Sequence, residues 1–256
     1  MAQLEPPICL EIEDLGVILD DRPVLRAVGF QLRRGEIVSI IGPNGAGKTT
    51  LFNVLTGRIR PQRGRIRYWG EDIRGWAPHR ICRAGLARTF QIARPFAEMS
   101  VLENVLIGLW FGKSPTEAVL EPRRQALELL ELVGLTHKAE TSAGALTLSE
   151  QRRLEVARAL STRPQLLLLD EIAAGLSPQA VNQAVELILA LRERGLTLLV
   201  IDHFLNLTAK VSDRLVALDQ GEIIAAGSPS RVIQNPEVIA AYLGERESRG
   251  DEAIEP

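Results

Sequence analysis

The chain has 256 residues, enough for one large α/β domain or for a domain with an inserted lobe, around a substantial core. Charged residues make up 24% and the formal net charge is -2, so nothing in the overall balance calls for a nucleic-acid partner. Cys9 and Cys82 form no metal-ligand spacing and fit a reducing cytosol, the first residues show no basic-then-apolar export signal, and the longest apolar runs are of strand length, too short to span a bilayer.

Residues Ile8 to Leu15 alternate apolar and polar, and so do Val24, Val28, Phe30 and Leu32 after the turn Asp20–Pro23. Two strands of an antiparallel, half-buried sheet are expected there. The apolar run Ile37 to Ile41 then reads as a buried strand that enters Gly42-Pro43-Asn44-Gly45-Ala46-Gly47-Lys48-Thr49-Thr50, and a helical pattern through Leu51, Val54 and Leu55 stops at Gly57. Strand, glycine loop, Lys-Thr and helix together specify a phosphate-binding loop. Its glycines let successive N–H groups converge beside a helix N-terminus, which makes an anion nest. Lys48 supplies a point charge for the β- and γ-phosphates, and the Thr49 hydroxyl is a ligand for Mg²⁺.

The basic stretch Arg58, Arg60, Arg63, Arg65 and Arg67 reads as a solvated turn entering a strand over Arg65–Trp69, with phosphate contact as the alternative. A short strand over Gly85-Leu-Ala-Arg-Thr-Phe-Gln91 ends in an amide. Gln91 is either an ordinary strand-end residue or a contact for Mg²⁺ and water, and the residues alone leave both open. From Val101 to about Leu135 apolar residues recur at helical spacing, which predicts a helical lobe inserted into the α/β core.

Thr147 with Glu150 three residues on forms a capping box at the start of a helix that Pro164 ends. The run Leu166–Leu169 is a buried parallel strand that delivers Asp170 and Glu171 at its carboxyl end, the edge where open α/β sheets bind ligands. Asp170 is suited to hold Mg²⁺ or its water, and Glu171 to polarise a water in line with a γ-phosphate. A helix over Pro178–Arg194 feeds a further strand, Leu196–Ile201, which ends at Asp202-His203. On that edge His203 is a hydrogen-bond donor able to sense a γ-phosphate. Strands at Arg214–Leu218 and Glu222–Ala226, a helical tail and a frayed polar end from Glu245 complete the chain.

These motifs together resemble the nucleotide-binding subunit of an ATP-binding cassette (ABC) transporter, over roughly Ile8 to Gly244. Gly42–Thr50 is similar to the Walker A loop, Gln91 to the Q-loop, Leu146–Glu150 to the signature loop and Leu166–Asp170 to Walker B. Glu171 matches the catalytic glutamate, Ala174–Ser177 the D-loop and His203 the switch histidine. Ala87-Arg-Thr-Phe-Gln91 and Ala240-Ala-Tyr-Leu-Gly244 look most like the subfamily serving branched-chain amino acid and related uptake systems. The resemblance implies an α/β fold with a P-loop NTPase core and antiparallel β subdomain over 8–92 and 160–246, a helical subdomain over about 93–159, and a polar tail over 247–256. It implies an ATPase that uses ATP and Mg²⁺, with catalytic Lys48, Gln91, Glu171 and His203, and with Thr49, Gln91 and Asp170 around the metal. It also implies a second ATPase subunit paired head to tail, two transmembrane permeases, a solute-binding protein acting at one remove, and a place on the cytoplasmic face of the inner membrane.

Several positions depart from the family pattern. The signature glycines are replaced by Leu148 and Ser149, so Thr147, Ser149 and Glu150 offer a partner's ATP a bulkier and more negative surface. Leu19 stands where an aromatic residue stacks on adenine, Ile172 replaces a proline and Ser177 an aspartate. These departures suggest an asymmetric heterodimer, with a homodimer as the alternative. The cargo implied is a branched-chain amino acid or a related small polar solute such as urea or an amide, and the alternatives are an ATPase of the same fold serving lipid or lipopolysaccharide extraction, and a nucleotide-binding regulatory subunit of low activity.

Overall fold

The computed structural model describes residues 5–90, 95–112, 120–175, 177–202 and 204–250. Two sheets form from the strand patterns. The first is antiparallel, in the order β2-β1-β4-β5, with β1 Ile8–Leu19, β2 Arg22–Arg33, β4 Arg63–Tyr68 and the short β5 Glu71–Asp72. Its arginines face cross-strand carboxylates, Arg67 meeting Glu11 and Glu13 and Arg63 meeting Asp14, so much of the basic stretch is a solvated sheet face.

The second sheet runs β10-β9-β3-β8-β7-β6. Its strands are β3 Ile37–Ile41, β6 Leu86–Arg88, β7 Leu166–Asp170, β8 Thr197–Ile201, β9 Arg214–Asp219 and β10 Glu222–Gly227. All pairings are parallel except β9 with the edge strand β10. The strands β3, β7 and β8 are buried along their whole length, as expected for a sheet covered on both faces. Alternate residues serve the two sides. Leu167, Leu169, Leu198 and Val200 join one core with the helical lobe, while Leu166, Leu168, Leu199 and Ile201 join the core beneath the antiparallel sheet.

The lobe consists of α3 Val101–Phe111, α4 Pro122–Leu132 and α5 Leu148–Ser161, so the expected helical stretch is two helices before α5. The remaining helices are α1 Lys48–Leu55, α2 Pro78–Arg83, α6 Pro178–Glu193, α7 Leu205–Val211, α8 Pro229–Ile233 and α9 Pro236–Gly250. The helix α9 continues past the expected start of fraying, where the sequence is rich in Glu and Arg, residue types of good helix propensity. Among the described residues no helix is long and apolar enough to cross a membrane.

Register decides where the functional edge lies. Ile201 of β8 stands opposite both Ile40 of β3 and Asp170 of β7, so the exits of the three strands are level. Gly42, Glu171 and Asp202 therefore leave the sheet side by side.

Candidate functional site

The phosphate loop begins where β3 ends. Gly42 has φ +149, and a Cβ there would lie 1.9 Å from the Leu218 carbonyl oxygen. Gly47 has φ +104, and a Cβ there would meet the Leu25 side chain and the Val24 carbonyl at 2.7 and 2.9 Å. Only glycine fits these two close approaches. At Gly45, with φ +77, a Cβ would meet no atom within 4 Å, and with Asn44 this residue forms the exposed tip of the loop. Pro43 and Ala46 are buried beneath it.

The loop is braced from two directions. The Gly221 N–H donates to the Ala46 carbonyl at 3.0 Å, from the turn between β9 and β10. The Gly42 N–H donates to Tyr242 Oη at 2.8 Å, from α9. The Lys48 ammonium donates to the carbonyls of Gly42 and Pro43 at 2.6 and 2.7 Å and is thus held at the loop mouth. Thr49 and Thr50 open α1, and Thr49 shares a helix face with Asn53 one turn on.

Asp170 lies across from this helix. Thr49, Asn53 and Asp170 line one cavity of about 800 Å³ that continues past Phe96 to Ile107 of α3. Asp170 is buried and paired with Arg88, whose Nη2 donates to Oδ2 at 2.6 Å. Its backbone N–H donates to Thr89 Oγ1 at 3.1 Å. Burial pushes the Asp170 carboxyl up, against the pull of Arg88. Hard oxygen donors, one hydroxyl and one carboxylate, fit Mg²⁺, which keeps several waters and takes its other ligands from phosphates.

Glu171 has φ +49, the left-handed region, which costs a residue with a side chain about 1–2 kcal/mol. Its backbone is held there by three hydrogen bonds: its N–H donates to the Ile201 carbonyl at 2.8 Å, and its carbonyl accepts from Arg152 Nη1 at 2.7 Å and from the Ala174 N–H at 3.3 Å. Backbone strain secured in this way is a mark of functional positions. Asp202 connects the neighbouring loops, because its carboxylate accepts from the N–H groups of Ala173 at 3.1 Å and Phe204 at 3.0 Å. Gln91 and His203 lie outside the described residues.

Two groups of expected residues stand apart from this cavity. Leu19 ends β1 opposite Arg22, at the hairpin whose continuation brings Leu25 against Gly47. Thr147 caps α5 and forms the expected capping box with Glu150. Glu150 is not the unscreened charge that its sequence position suggests. Its carboxylate accepts from the Thr147 N–H at 2.9 Å and pairs with Lys138 at 2.6 Å, and mainly through that pairing it is held down at about 2. Ser149 lines a crevice of about 30 Å³ with Arg152 and Ile172. Ser177, in place of the family aspartate, caps α6.

Arg88 and Tyr242 lie inside the stretches Ala87–Gln91 and Ala240–Gly244, which give neither a role, and Asn53 and Glu155 lie outside the motifs. Asn53 carries a signal, its four-residue spacing from Thr49. The other three are brought to the site only by strand order and by the packing of α5 and α9.

A family profile described as ABC transporter matches residues 25–174, and one described as branched-chain amino acid ATP-binding cassette transporter matches residues 222–248. The high-affinity branched-chain amino acid transport ATP-binding protein BraF of Pseudomonas aeruginosa is 43% identical, over 92% of this chain and 98% of that one. LivG of Escherichia coli, of the same description, is 42% identical over 85% of this chain and 91% of that one. A crystal structure of MJ1267, an ATP-binding cassette of an ABC transporter in its ADP conformation, superposes with a TM-score of 0.85 at 32% identity, covering 93% of this chain and 99% of that one. With phosphate loop, Asp170 and Glu171 on one sheet edge and these relatives spanning nearly its full length, the chain belongs to the ABC transporter family, as an ATP-hydrolysing subunit of the branched-chain amino acid group.

Proposed function

We propose that this subunit drives the import of branched-chain amino acids, as one half of an ATPase pair that engages two permeases on the cytoplasmic face of the membrane. The observation that carries the motor reading is the level exit of β3, β7 and β8, which sets the loop Gly42–Thr50, Asp170 and Glu171 on one edge. The cargo rests on the names of the relatives, BraF and LivG.

In this reading the N–H groups from Gly45 to Thr50 and the Lys48 ammonium bind the β- and γ-phosphates of ATP. Thr49 and Asp170, with Gln91, hold Mg²⁺, which when bound neutralises charge on the phosphate oxygens. Glu171 accepts a proton from the attacking water and His203 contacts the γ-phosphate. Leu19 faces adenine with an aliphatic surface in place of a stacking ring. Thr147, Ser149 and Glu150 face the ATP of the partner ATPase. Because Lys138 offsets the Glu150 charge, the signature loop is less hostile to phosphate than its composition implies, while the loss of both glycines still favours a heterodimer. The cavity of about 800 Å³, edged by exposed Phe96 and Phe111 between sheet and lobe, suits an apolar cytoplasmic segment of a permease.

The test is reconstitution with the co-encoded permeases and solute-binding protein in proteoliposomes. ATP-dependent leucine uptake that requires this chain supports the reading, whereas ATP-dependent movement of lipid without amino acid uptake overturns the cargo assignment.

A further inference from the structure

Arg88 stands in the passage between the sheet edge and the lobe. Its side chain is 4% exposed, and besides the bond to Asp170 its Nη1 donates to Asn53 Oδ1 at 2.7 Å. Its Nε is buried without a hydrogen-bond partner. The guanidinium lies 5.3 Å from the ring centres of both Phe52 and Phe90. Beyond it, on α5, the buried Glu155 accepts the Phe90 N–H at 2.8 Å and lines the same cavity. Burial pushes Glu155 up to about 7 and pushes Arg88 down, while Asp170 and Glu155 both favour the charged guanidinium and Arg58 opposes it.

One buried carboxylate thus has a resident cation at hydrogen-bonding distance, and the proposed function brings a second, divalent one to it. Two cations on one carboxylate repel strongly at low dielectric, and a buried charge whose partner leaves needs another. Among the residues that line this cavity Glu155 is the other carboxylate, and it holds the N–H of Phe90, whose ring lies beside Arg88. We infer that Arg88 is a positioning residue that neutralises Asp170 before the metal arrives, and that metal loading shifts the guanidinium from Asp170 towards Glu155, so that the state of the metal site reaches the Phe90 peptide and the lobe. This rests on the reading of Asp170 as the metal's carboxylate.

The test uses the full chain with a non-hydrolysable ATP analogue, Mn²⁺ as the probe and Arg88→Met, which keeps the packing against the two rings and removes the charge. In chelator, without metal, Arg88→Met lowers the thermal midpoint by several degrees. Its Mn²⁺ affinity in the ternary complex rises about tenfold, because the competing cation is gone. Glu155→Gln, which keeps an acceptor for the Phe90 N–H, lowers Mn²⁺ affinity several-fold and leaves analogue binding in chelator unchanged. Amide exchange at Phe90 responds to metal in the wild type and not in Arg88→Met. Unchanged or weaker Mn²⁺ binding by Arg88→Met overturns the inference, and should that variant not fold, Mn²⁺ binding by Glu155→Gln equal to that of the wild type overturns it. Asp170→Asn separates the two levels: if it binds Mn²⁺ as the wild type does, the metal reading itself fails, and if it loses Mn²⁺ while Arg88→Met is unaltered, only the role of Arg88 fails.

Discussion

The close approach of Gly42 to β9 allows a quantitative test of how the phosphate loop is held. In Gly42→Ala the new Cβ would sit 1.9 Å from the Leu218 carbonyl oxygen and 3.3 Å from the Ala46 Cβ, at φ +149. The oxygen belongs to a strand paired on both sides, so it cannot turn away. A left-handed backbone costs about 1–2 kcal/mol, and forcing extra volume into a packed site about 1–3 kcal/mol. The sum is about 2–5 kcal/mol, which for a chain of this size lowers Tm by about 4–20 °C. Gly45→Ala is the internal control, since at φ +77 it meets nothing within 4 Å and carries only the backbone cost. Its Tm should fall by about 2–8 °C. The assay is thermal unfolding with and without Mg·ATP. Because Gly42→Ala can relax only by moving the loop, it should also lose most of the stabilisation that ATP confers through mass action. A Gly42→Ala protein that melts within about 2 °C of the wild type, or one no worse than Gly45→Ala with its ATP response intact, would refute the argument.

Two carboxylates on α5 should act in adjacent pH windows with opposite signs. Glu150 is held below the ordinary value of 4.5, at about 2, so its stabilisation is present above pH 4.5 and lost as pH falls towards 2. Glu155 is raised to about 7, so it favours the fold below pH 4.5 and that contribution is lost as pH rises through 7. Urea titrations should therefore show Glu150→Gln flattening the acid limb and Glu155→Gln flattening the limb between pH 4.5 and 7. Tyr242→Phe removes the oxygen that accepts the Gly42 N–H, leaving a buried donor unpaired at a cost of about 1–3 kcal/mol. Faster amide exchange at Gly42 and a lower urea midpoint are expected, and an unchanged Gly42 exchange rate would show that the hydroxyl does not brace the loop. Leu19→Tyr should tighten ATP binding several-fold, since ring stacking adds about 0.5–1.5 kcal/mol. Fluorescent-nucleotide titration checks this, with GTP and ATP compared for base selectivity.

The parts of the site that could be read from sequence are those whose physics is local. The phosphate loop needs its glycines within a few residues of one another, and the Thr147–Glu150 box closes within one turn. Strands such as Leu166–Asp170 announce themselves because both faces are covered, leaving an unbroken apolar run. Contacts that depend on strand order or on helix packing were not legible. Arg88 reaches Asp170 across 82 positions and Tyr242 reaches Gly42 across 200, and no periodicity encodes either separation. The short α2 was hidden because six residues with one buried side chain leave no helical pattern. The Lys138 partner that offsets Glu150 comes from the 3-10 turn Thr136–Lys138 after α4, so the apparent charge of the Thr147–Glu150 stretch could not be corrected from its own residues.

The central claim is that the lytic site lies on this chain at the left-handed turn after β7. The most direct measurement is the rate of Mg²⁺-dependent ATP hydrolysis by the transporter assembled with its co-encoded subunits, comparing the wild type with Glu171→Gln in this chain alone. Water activation by a positioned carboxylate contributes about 10²–10⁴-fold, so the substitution should remove nearly all of the hydrolysis assigned to this site while ATP still binds. Hydrolysis unchanged in the substituted assembly would place the working site on the partner and leave this chain a nucleotide-binding regulator.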